Sequence, residues 1–174
     1  MKQFFEELKS LLKEAINEDY NSLLKLCGNE SPYCCALVTD SDATTLFFAV
    51  NTREKFNEKT VKVGEKYKAY YKWTPAEWAY GDQLSDKKMI SKVSDVLAEK
   101  SEEEEVRNNF LSFETGLYEC MTTALKELSE ESSFSKMVKF ISISDDKRAR
   151  NVENYSAKLL NSEIVYSDFA KRFE

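Results

Sequence analysis

Four carboxylates are the strongest candidates for chemistry in this chain of 174 residues. Asp40 and Asp42 stand in a short segment typical of a turn, and Glu77 and Asp82 accompany an aromatic segment further along. Paired carboxylates perform acid–base catalysis or hold a divalent cation if they converge. However, the first pair lacks the glycine and the distal glutamate of a calcium loop, and aspartate in a turn usually binds its own backbone. We therefore expect structural roles, with a carboxylate-dependent enzyme or metal binder as an alternative.

The chain contains no histidine, which excludes Ser-His-Asp and Cys-His nucleophilic sites, histidine bases and histidine-ligated zinc. Its four cysteines include no CxxC or other zinc spacing, so we expect reduced, buried thiols. Cys34 and Cys35 are adjacent and should point to opposite faces of a strand. No GxGxxG, P-loop or GxSxG motif is present either, so the sequence predicts no cofactor.

Composition indicates a globular, cytoplasmic protein with one domain. Apolar residues make up 42% of the chain and charged residues 32%, and the length suits a single core. Acidic residues interrupt the apolar residues of the N-terminal segment, and no stretch is long enough to span a membrane. Because only four glycines and two prolines punctuate the chain, long helices are favoured over a turn-rich sandwich or barrel.

Hydrophobic periodicity and turn residues predict the order of elements. The predicted helices are residues 2–26, a short helix opened by Asn51 and Thr52, 85–99, 101–131 with a capping box at its start, and two helices after residue 151. The predicted strands are residues 33–39 and 44–50, which form a central hairpin, then 67–73 and 137–143. We therefore expect an α+β fold in which a mainly antiparallel sheet of about four strands packs against several helices.

The segment YYKWTPAEWAYG, residues 70–81, holds both tryptophans. If Thr74 is an N-cap, Glu77 completes a capping box around a proline at the first helical position. Trp73 and Trp78 then occupy the two positions of a hydrophobic staple, which gives each residue a structural role. Tryptophan and tyrosine also anchor protein interfaces, so a functional reading of the same cluster stays open.

Two stretches of the sequence resemble a known bacterial family. ALVTDSDATTLFFAVNT at 36–52 and YYKWTPAEWAYG at 70–81 occur in the order and at the spacing of the signature stretches of the domain of unknown function numbered 4303. The resemblance extends over most of the chain. The family has no established activity, and its members look like companions of polymorphic-toxin loci. The resemblance therefore implies an immunity protein that binds and neutralises a cognate toxin.

The charge distribution agrees with a protein partner. Residues 101–131 contain nine glutamates against Arg107 and Lys126, in a chain whose net charge is −6. A strongly acidic helix face attracts a basic partner, although a run of charge on a surface helix is often only solvated. Residues 53–72 are basic, with seven Lys or Arg against three Glu, but no nucleic-acid-binding motif is present and we expect no nucleic-acid partner.

The sequence therefore favours a non-enzymatic binding protein of the immunity type. A general interaction module anchored on the Trp73/Trp78 region is the second hypothesis, and the carboxylate-dependent enzyme or metal binder is the third. The candidate partner-binding residues are Asp40, Asp42, Asn51, Trp73, Glu77, Trp78, Tyr80, Glu103 and Glu104.

Overall fold

The computed structural model describes residues 1–81, 89–130 and 134–172, which contain eight α-helices and three β-strands. The helices are α1 (Lys2–Cys27), α2 (Arg53–Thr60), α3 (Lys68–Trp73), α4 (Met89–Ser101), α5 (Glu104–Asn108), α6 (Phe110–Leu128), α7 (Ala149–Leu160) and α8 (Glu163–Ala170). The strands are β1 (Pro32–Thr39), β2 (Leu46–Thr52) and β3 (Val138–Ile143). Single 3₁₀ turns occupy Glu65–Tyr67 and Pro75–Glu77.

The sheet has the strand order β2-β1-β3 in the described part of the chain. β1 pairs with β2 in antiparallel and with β3 in parallel orientation, so that Leu37 lies opposite both Phe48 and Ile141. The predicted hairpin and the predicted last strand are confirmed. The expectation of a mainly antiparallel sheet of about four strands is wrong, because the sheet is mixed and has three strands within the described ranges. The hairpin was predicted at the centre of the sheet, but only its strand β1 is central, and β2 lies at an edge.

Side chains from α7 and its end cover the outer edge of β3. The Asn161 amide accepts a hydrogen bond from Lys139 N at 2.9 Å and donates one to Lys139 O at 2.7 Å. The Ser156 hydroxyl similarly accepts from Ile141 N at 3.0 Å and contacts Ile141 O at 3.5 Å. These groups satisfy backbone donors and acceptors that another strand would otherwise take.

The outer edge of β2 is covered in the same way. Ser94 Oγ on α4 accepts from Leu46 N at 2.9 Å and donates to Leu46 O at 3.2 Å. Further along the strand, Val50 N donates to Tyr80 O at 2.6 Å, which forms an isolated bridge. In the part of the chain that the structure describes, both edges of the sheet therefore form hydrogen bonds with groups outside any fourth strand.

Hydrophobic clusters lie on both faces of the sheet, because alternate residues of β1 point to opposite sides. Cys35 and Leu37 belong to a large cluster with apolar residues of α1, α4 and α6. Cys34, Ala36 and Val38 belong to a smaller cluster with the two tryptophans and phenylalanines from β3 and α8. All four cysteines are buried and free, so the expectation of buried thiols on opposite faces of the strand is confirmed.

Residues 67–73, predicted to be a strand, form the end of a 3₁₀ turn and helix α3. The prediction rested on the alternation of Ala69, Tyr71 and Trp73. That alternation also places Ala69 and Trp73 four positions apart, a spacing that fits a helix equally well. Ala69 and Trp73 lie one helical turn apart, and both pack against the smaller cluster. A segment of seven residues is too short for its pattern to separate the two periods.

The predicted helix 101–131 is divided into α5 and α6. Ser101 ends α4 instead of starting the next helix, and its hydroxyl donates to Ala98 O at 2.7 Å, so the predicted capping box is wrong. Asn109 interrupts the helix with φ −128° and ψ 37°, and its amide donates to Glu105 O. The first residues of the predicted helix 85–99 and the last of 101–131 lie outside the described residues.

The prediction that Asn51 and Thr52 open a short helix is confirmed. Thr52 caps α2 by accepting a hydrogen bond from Lys55 N at 3.3 Å. Gly28 follows α1 with φ 60°, a backbone angle that favours glycine. Over the described ranges, no helix is long and apolar enough to cross a membrane.

Candidate functional site

An open groove of about 470 Å³ lies beside α2 and brings together three of the predicted site residues, Asn51, Glu77 and Trp78. We call it the α2 groove; its remaining lining residues are Lys55, Phe56, Glu58, Lys59, Lys62, Tyr71 and Ala79. Helix α2 supplies one wall, and α3 with the 3₁₀ turn at Pro75–Glu77 supplies the other. Both charged and aromatic side chains are therefore available in the groove.

Ion pairs organise the charged wall of the α2 groove. Lys59 Nζ lies 2.6 Å from Glu77 Oε2 and 4.9 Å from the centre of the Tyr71 ring. Lys55 Nζ lies 3.0 Å from Glu58 Oε2. The hydrogen bond from Lys59 lowers the pKa of Glu77, against the opposing effect of burial, and keeps this carboxyl ionised.

Glu77 does not complete the predicted capping box. The Thr74 side chain makes no capping hydrogen bond, and the segment that follows is a single 3₁₀ turn. The Glu77 carboxylate instead accepts hydrogen bonds from Lys59 and, at 3.2 Å, from Tyr70 Oη. The prediction failed because Lys59, 18 residues away, competes for the carboxylate and cannot be recognised from a local motif.

Both tryptophans are core residues. Trp73 is 4% exposed and packs edge-to-face on Phe169, with ring centres 5.1 Å apart. Trp78 is 6% exposed and packs in the same manner on Phe140 at 5.8 Å. Each indole thus contacts its own phenylalanine in the smaller cluster. This burial supports the structural reading of the aromatic segment, since a partner cannot reach either ring without rearrangement.

Asn51 and Tyr80 are held by hydrogen bonds within the protein. Asn51 is 3% exposed, and its Nδ2 donates to Tyr33 Oη at 3.0 Å. The Tyr80 hydroxyl is half-buried and donates to Glu30 Oε2 at 3.0 Å. Burial raises the pKa of Tyr80, and the hydrogen bond to Glu30 raises it further, so this phenol stays protonated. Asn51 thus joins the two strands of the hairpin, and Tyr80 joins the end of the aromatic segment to the loop that precedes β1.

Asp40 serves the hairpin turn. Its carboxylate accepts hydrogen bonds from Thr44 N and Thr44 Oγ1 at 2.8 Å and from Thr45 Oγ1 at 2.6 Å. Burial opposes ionisation, but these hydrogen bonds outweigh it and lower the pKa of Asp40. Asp42 is exposed, and Asp82 lies outside the described residues. Within the described ranges, no three acidic or cysteine side chains come together as metal ligands.

The acidic segment Glu102–Glu105, which we call the acidic turn, connects α4 to the body of α5 and is exposed. It includes the predicted residues Glu103 and Glu104. Glu103 Oε2 lies 2.6 Å from Lys100 Nζ, and Glu102 lies 3.5 Å from Arg107. Neither Glu104 nor Glu105 forms an ion pair in the part of the chain that the structure describes.

Two further glutamates of residues 101–131 are paired with basic residues of other elements. Glu114 is buried and accepts a hydrogen bond from Arg148 Nη1 at 2.8 Å. Glu127 is paired with Lys13 at 2.8 Å and with Lys9 at 3.2 Å. These two carboxylates are therefore less available to a partner than the four of the acidic turn.

A second pocket, of about 460 Å³, was not recognised from the sequence. It lies at the carboxyl ends of the parallel strands β1 and β3, where Val38, Phe47 and Trp73 line it together with Ser142 and Glu153. Ser142 Oγ donates to Glu153 Oε1 at 2.5 Å, and the buried Arg172 pairs with Glu153 Oε2 at 2.7 Å. Both oxygens of the Glu153 carboxylate are thus bonded, one to Ser142 on β3 and the other to Arg172, just beyond the end of α8.

The chain also matches a known family. Residues 12–162 match the family described as domain of unknown function (DUF4303). The match covers most of the chain, including the hairpin of β1 and β2 and the aromatic segment 70–81. The protein therefore belongs to the DUF4303 family, and its α+β fold has a mixed three-stranded sheet in the described ranges. Comparison with curated proteins and with solved structures finds no significant match.

Proposed function

We propose that this protein acts by binding another protein, and that its partner is a basic protein held at the acidic turn. The observation that carries the proposal is the exposure of four consecutive glutamates, Glu102–Glu105, at one place on the surface. Residues 95–107 contain six acidic residues against two basic ones. A concentration of one charge attracts a partner of the opposite charge and raises its association rate.

The backbone of the acidic turn is attached to the hydrophobic core. Val106, directly after it, is 1% exposed and belongs to the large cluster. Val106 N and Arg107 N both donate to Glu103 O, at 3.0 and 3.1 Å. The four carboxylates are therefore presented from a fixed backbone, and a partner need not order the turn on binding.

An exposed apolar residue follows the acidic turn. Leu111, in the first turn of α6, is 72% exposed, although its neighbour Phe113 is fully buried. An accessible apolar side chain is the kind of residue found at the centre of a protein interface, and charged residues are typical of its rim. The acidic turn and Leu111 together are therefore the proposed contact surface.

The proposed biological role is that of an immunity protein which neutralises a cognate toxin. Its support is the resemblance of the family to companions of polymorphic-toxin loci. A nuclease-like toxin that binds nucleic acid would carry the basic surface that the acidic turn fits. Binding at that surface would compete with the toxin's own anionic substrate.

The first experiment identifies the partner and then measures its affinity. The full chain is purified from its own host at low salt, the co-purifying protein is identified and produced separately, and the Kd is measured at low and high salt. In the variant E102Q/E103Q/E104Q/E105Q we expect the Kd to rise by at least about tenfold, mainly through slower association. The matched control E7Q/E14Q/E18Q/E130Q removes the same charge from other exposed positions and should change the Kd by less than about threefold.

A growth assay tests the immunity role itself. Cells that produce the identified partner should be protected by the wild-type chain and by the control variant, and less well by the variant of the acidic turn. Equal affinities for the two variants would remove the acidic turn from the interface. A partner that does not harm growth would contradict the immunity role while leaving the binding function in place.

A further inference from the structure

The α2 groove plays no part in the proposed binding of a basic protein, and most of its charged residues belong to a basic stretch of an otherwise acidic chain. We infer that it binds a small anionic ligand that carries a planar ring, the chemistry of a nucleotide. The inference combines the charge of the groove, its aromatic lining and its size. It does not depend on the acidic turn, so either proposal can fail alone.

The charge of the region favours an anion. Residues 53–72, which form α2, α3 and their connection, carry four more positive than negative charges, although the whole chain carries −6. Lys55, Lys59 and Lys62 recur at intervals of four and three residues and all line the groove. Because three lysines and two glutamates line the groove, its lining carries a net positive charge, which attracts ligands of the opposite sign.

The two acidic residues of the groove offset two of its three lysines. Glu58 is paired with Lys55 at 3.0 Å and Glu77 with Lys59 at 2.6 Å. Lys62 is exposed and forms no ion pair with any residue that the structure describes. The groove therefore offers one unpaired ammonium group beside two paired ones, which suits a phosphate group.

Aromatic residues provide a surface for a planar ring. Phe56 and Tyr71 are half-buried and line the groove, and Lys59 Nζ already lies 4.9 Å from the centre of the Tyr71 ring. Aromatic side chains stack on nucleobases of any sequence, and adjacent lysines hold the phosphates. The volume of about 470 Å³ lies within the usual size of a small-molecule site.

The test uses the full chain and defined probes. ADP, AMP, inorganic pyrophosphate and a glutamate-rich peptide are titrated by calorimetry and by tryptophan fluorescence, since Trp78 forms part of the groove wall. We expect ADP to bind saturably and at least about tenfold more tightly than pyrophosphate, because only ADP can stack a ring. Failure of both ADP and AMP to bind saturably would overturn the inference.

Two variants separate the recognition of phosphate from that of the ring. Lys62→Gln should weaken ADP and pyrophosphate by a similar factor of roughly five, since the ammonium group contacts the phosphates of both. Tyr71→Leu should weaken ADP by roughly fivefold or more and leave pyrophosphate unchanged. The matched controls are Lys25→Gln and Tyr155→Leu, which alter exposed residues outside the groove lining and should leave every affinity unchanged.

Three further outcomes would contradict the inference. Equal affinities for ADP and pyrophosphate would reduce the site to simple anion binding, which overturns the assignment of the ring. Tighter binding of the glutamate-rich peptide than of ADP would assign the groove to an acidic protein segment instead. Identical binding by the variants and their controls would place the nucleotide elsewhere on the protein.

Discussion

Single residues of the aromatic segment show how a sequence rich in interface-forming side chains can serve the core. Trp73 and Trp78 contact Phe169 and Phe140 and leave 4% and 6% of their surfaces exposed. The structural role predicted from the sequence rested on a capping box and a hydrophobic staple; both indoles are buried, but the capping box does not form. The particular partners could not be predicted, because both phenylalanines come from elements more than 60 residues further along the chain.

The role of Trp78 leads to a prediction about stability. Trp78→Ala should lower the free energy of unfolding by about 3–5 kcal/mol, because it leaves a cavity next to Phe140. Denaturation by urea, followed by circular dichroism, measures the change. Tyr67→Ala, at a side chain that is 49% exposed, is the control and should change stability by less than about 0.5 kcal/mol.

A different result for Trp78→Ala would change the interpretation of the site. If the variant kept its stability and lost a protein partner, the indole would be an interface anchor, as in the interaction-module hypothesis.

Asp40, unlike the tryptophans, has hydrogen-bond partners that lie close to it in the sequence. Its role in the turn was predicted from aspartate's tendency to bind nearby backbone, and its hydrogen bonds to Thr44 and Thr45 are local contacts of this kind.

At the scale of elements, the sequence predicted helix α1 more accurately than helix α3. Helix α1 was predicted within one residue at its C-terminal end because 26 residues define its period clearly. Helix α3 was predicted as a strand because six residues do not. Among the described residues, the absence of a fourth strand has a physical explanation in Asn161, Ser156 and Ser94, whose side chains bond the sheet edges.

The packing of α1 on α6 gives a prediction at this scale. A Cβ on Gly116 would lie 2.6 Å from Phe5 Cζ, and Phe5 is itself held against Phe113 with ring centres 5.7 Å apart. Gly116→Ala gains up to about 1 kcal/mol of helix propensity but should lose roughly 1–3 kcal/mol through overlap, and we expect a net destabilisation. Thermal unfolding measures the sign.

Gly64→Ala provides the matched control for Gly116→Ala. Gly64 has φ −68° and no atom within 4 Å of an added Cβ, so alanine should be neutral or stabilise by about 0.4–1 kcal/mol. A stabilised Gly116→Ala variant would show that Phe5 moves aside without loss. The N-terminal turn of α1 would then contribute little to the packing of α1 on α6.

At the scale of the whole molecule, the central strand divides the interior into two clusters and protects the cysteines. Cys34 and Cys35 are fully buried on opposite sides of β1, and burial raises the pKa of Cys35 to about 12 and that of Cys34 well above its usual range. Thiolate is the reactive form, so these thiols should be inert near neutral pH. The fold thus accounts for the absence of disulfides.

Thiol labelling tests this description of the interior. A small thiol reagent should modify none of the four cysteines rapidly in the native protein and all four in urea. Cys27 and Cys120, each 6% exposed, should react first through local opening, and the two cysteines of β1 only at the rate of global unfolding. Rapid labelling of Cys34 or Cys35 in the native state would show that β1 separates from its neighbours.

The covered sheet edges limit the ways in which another chain can associate with this protein. Backbone groups on both sheet edges already form hydrogen bonds with side chains or with the Tyr80 backbone. These groups belong to Leu46, Val50, Lys139 and Ile141. A peptide that joins a sheet as an additional strand, or a second copy growing toward a fibril, would have to break these bonds before forming its own. Association by surface side chains of helices and turns requires no such exchange.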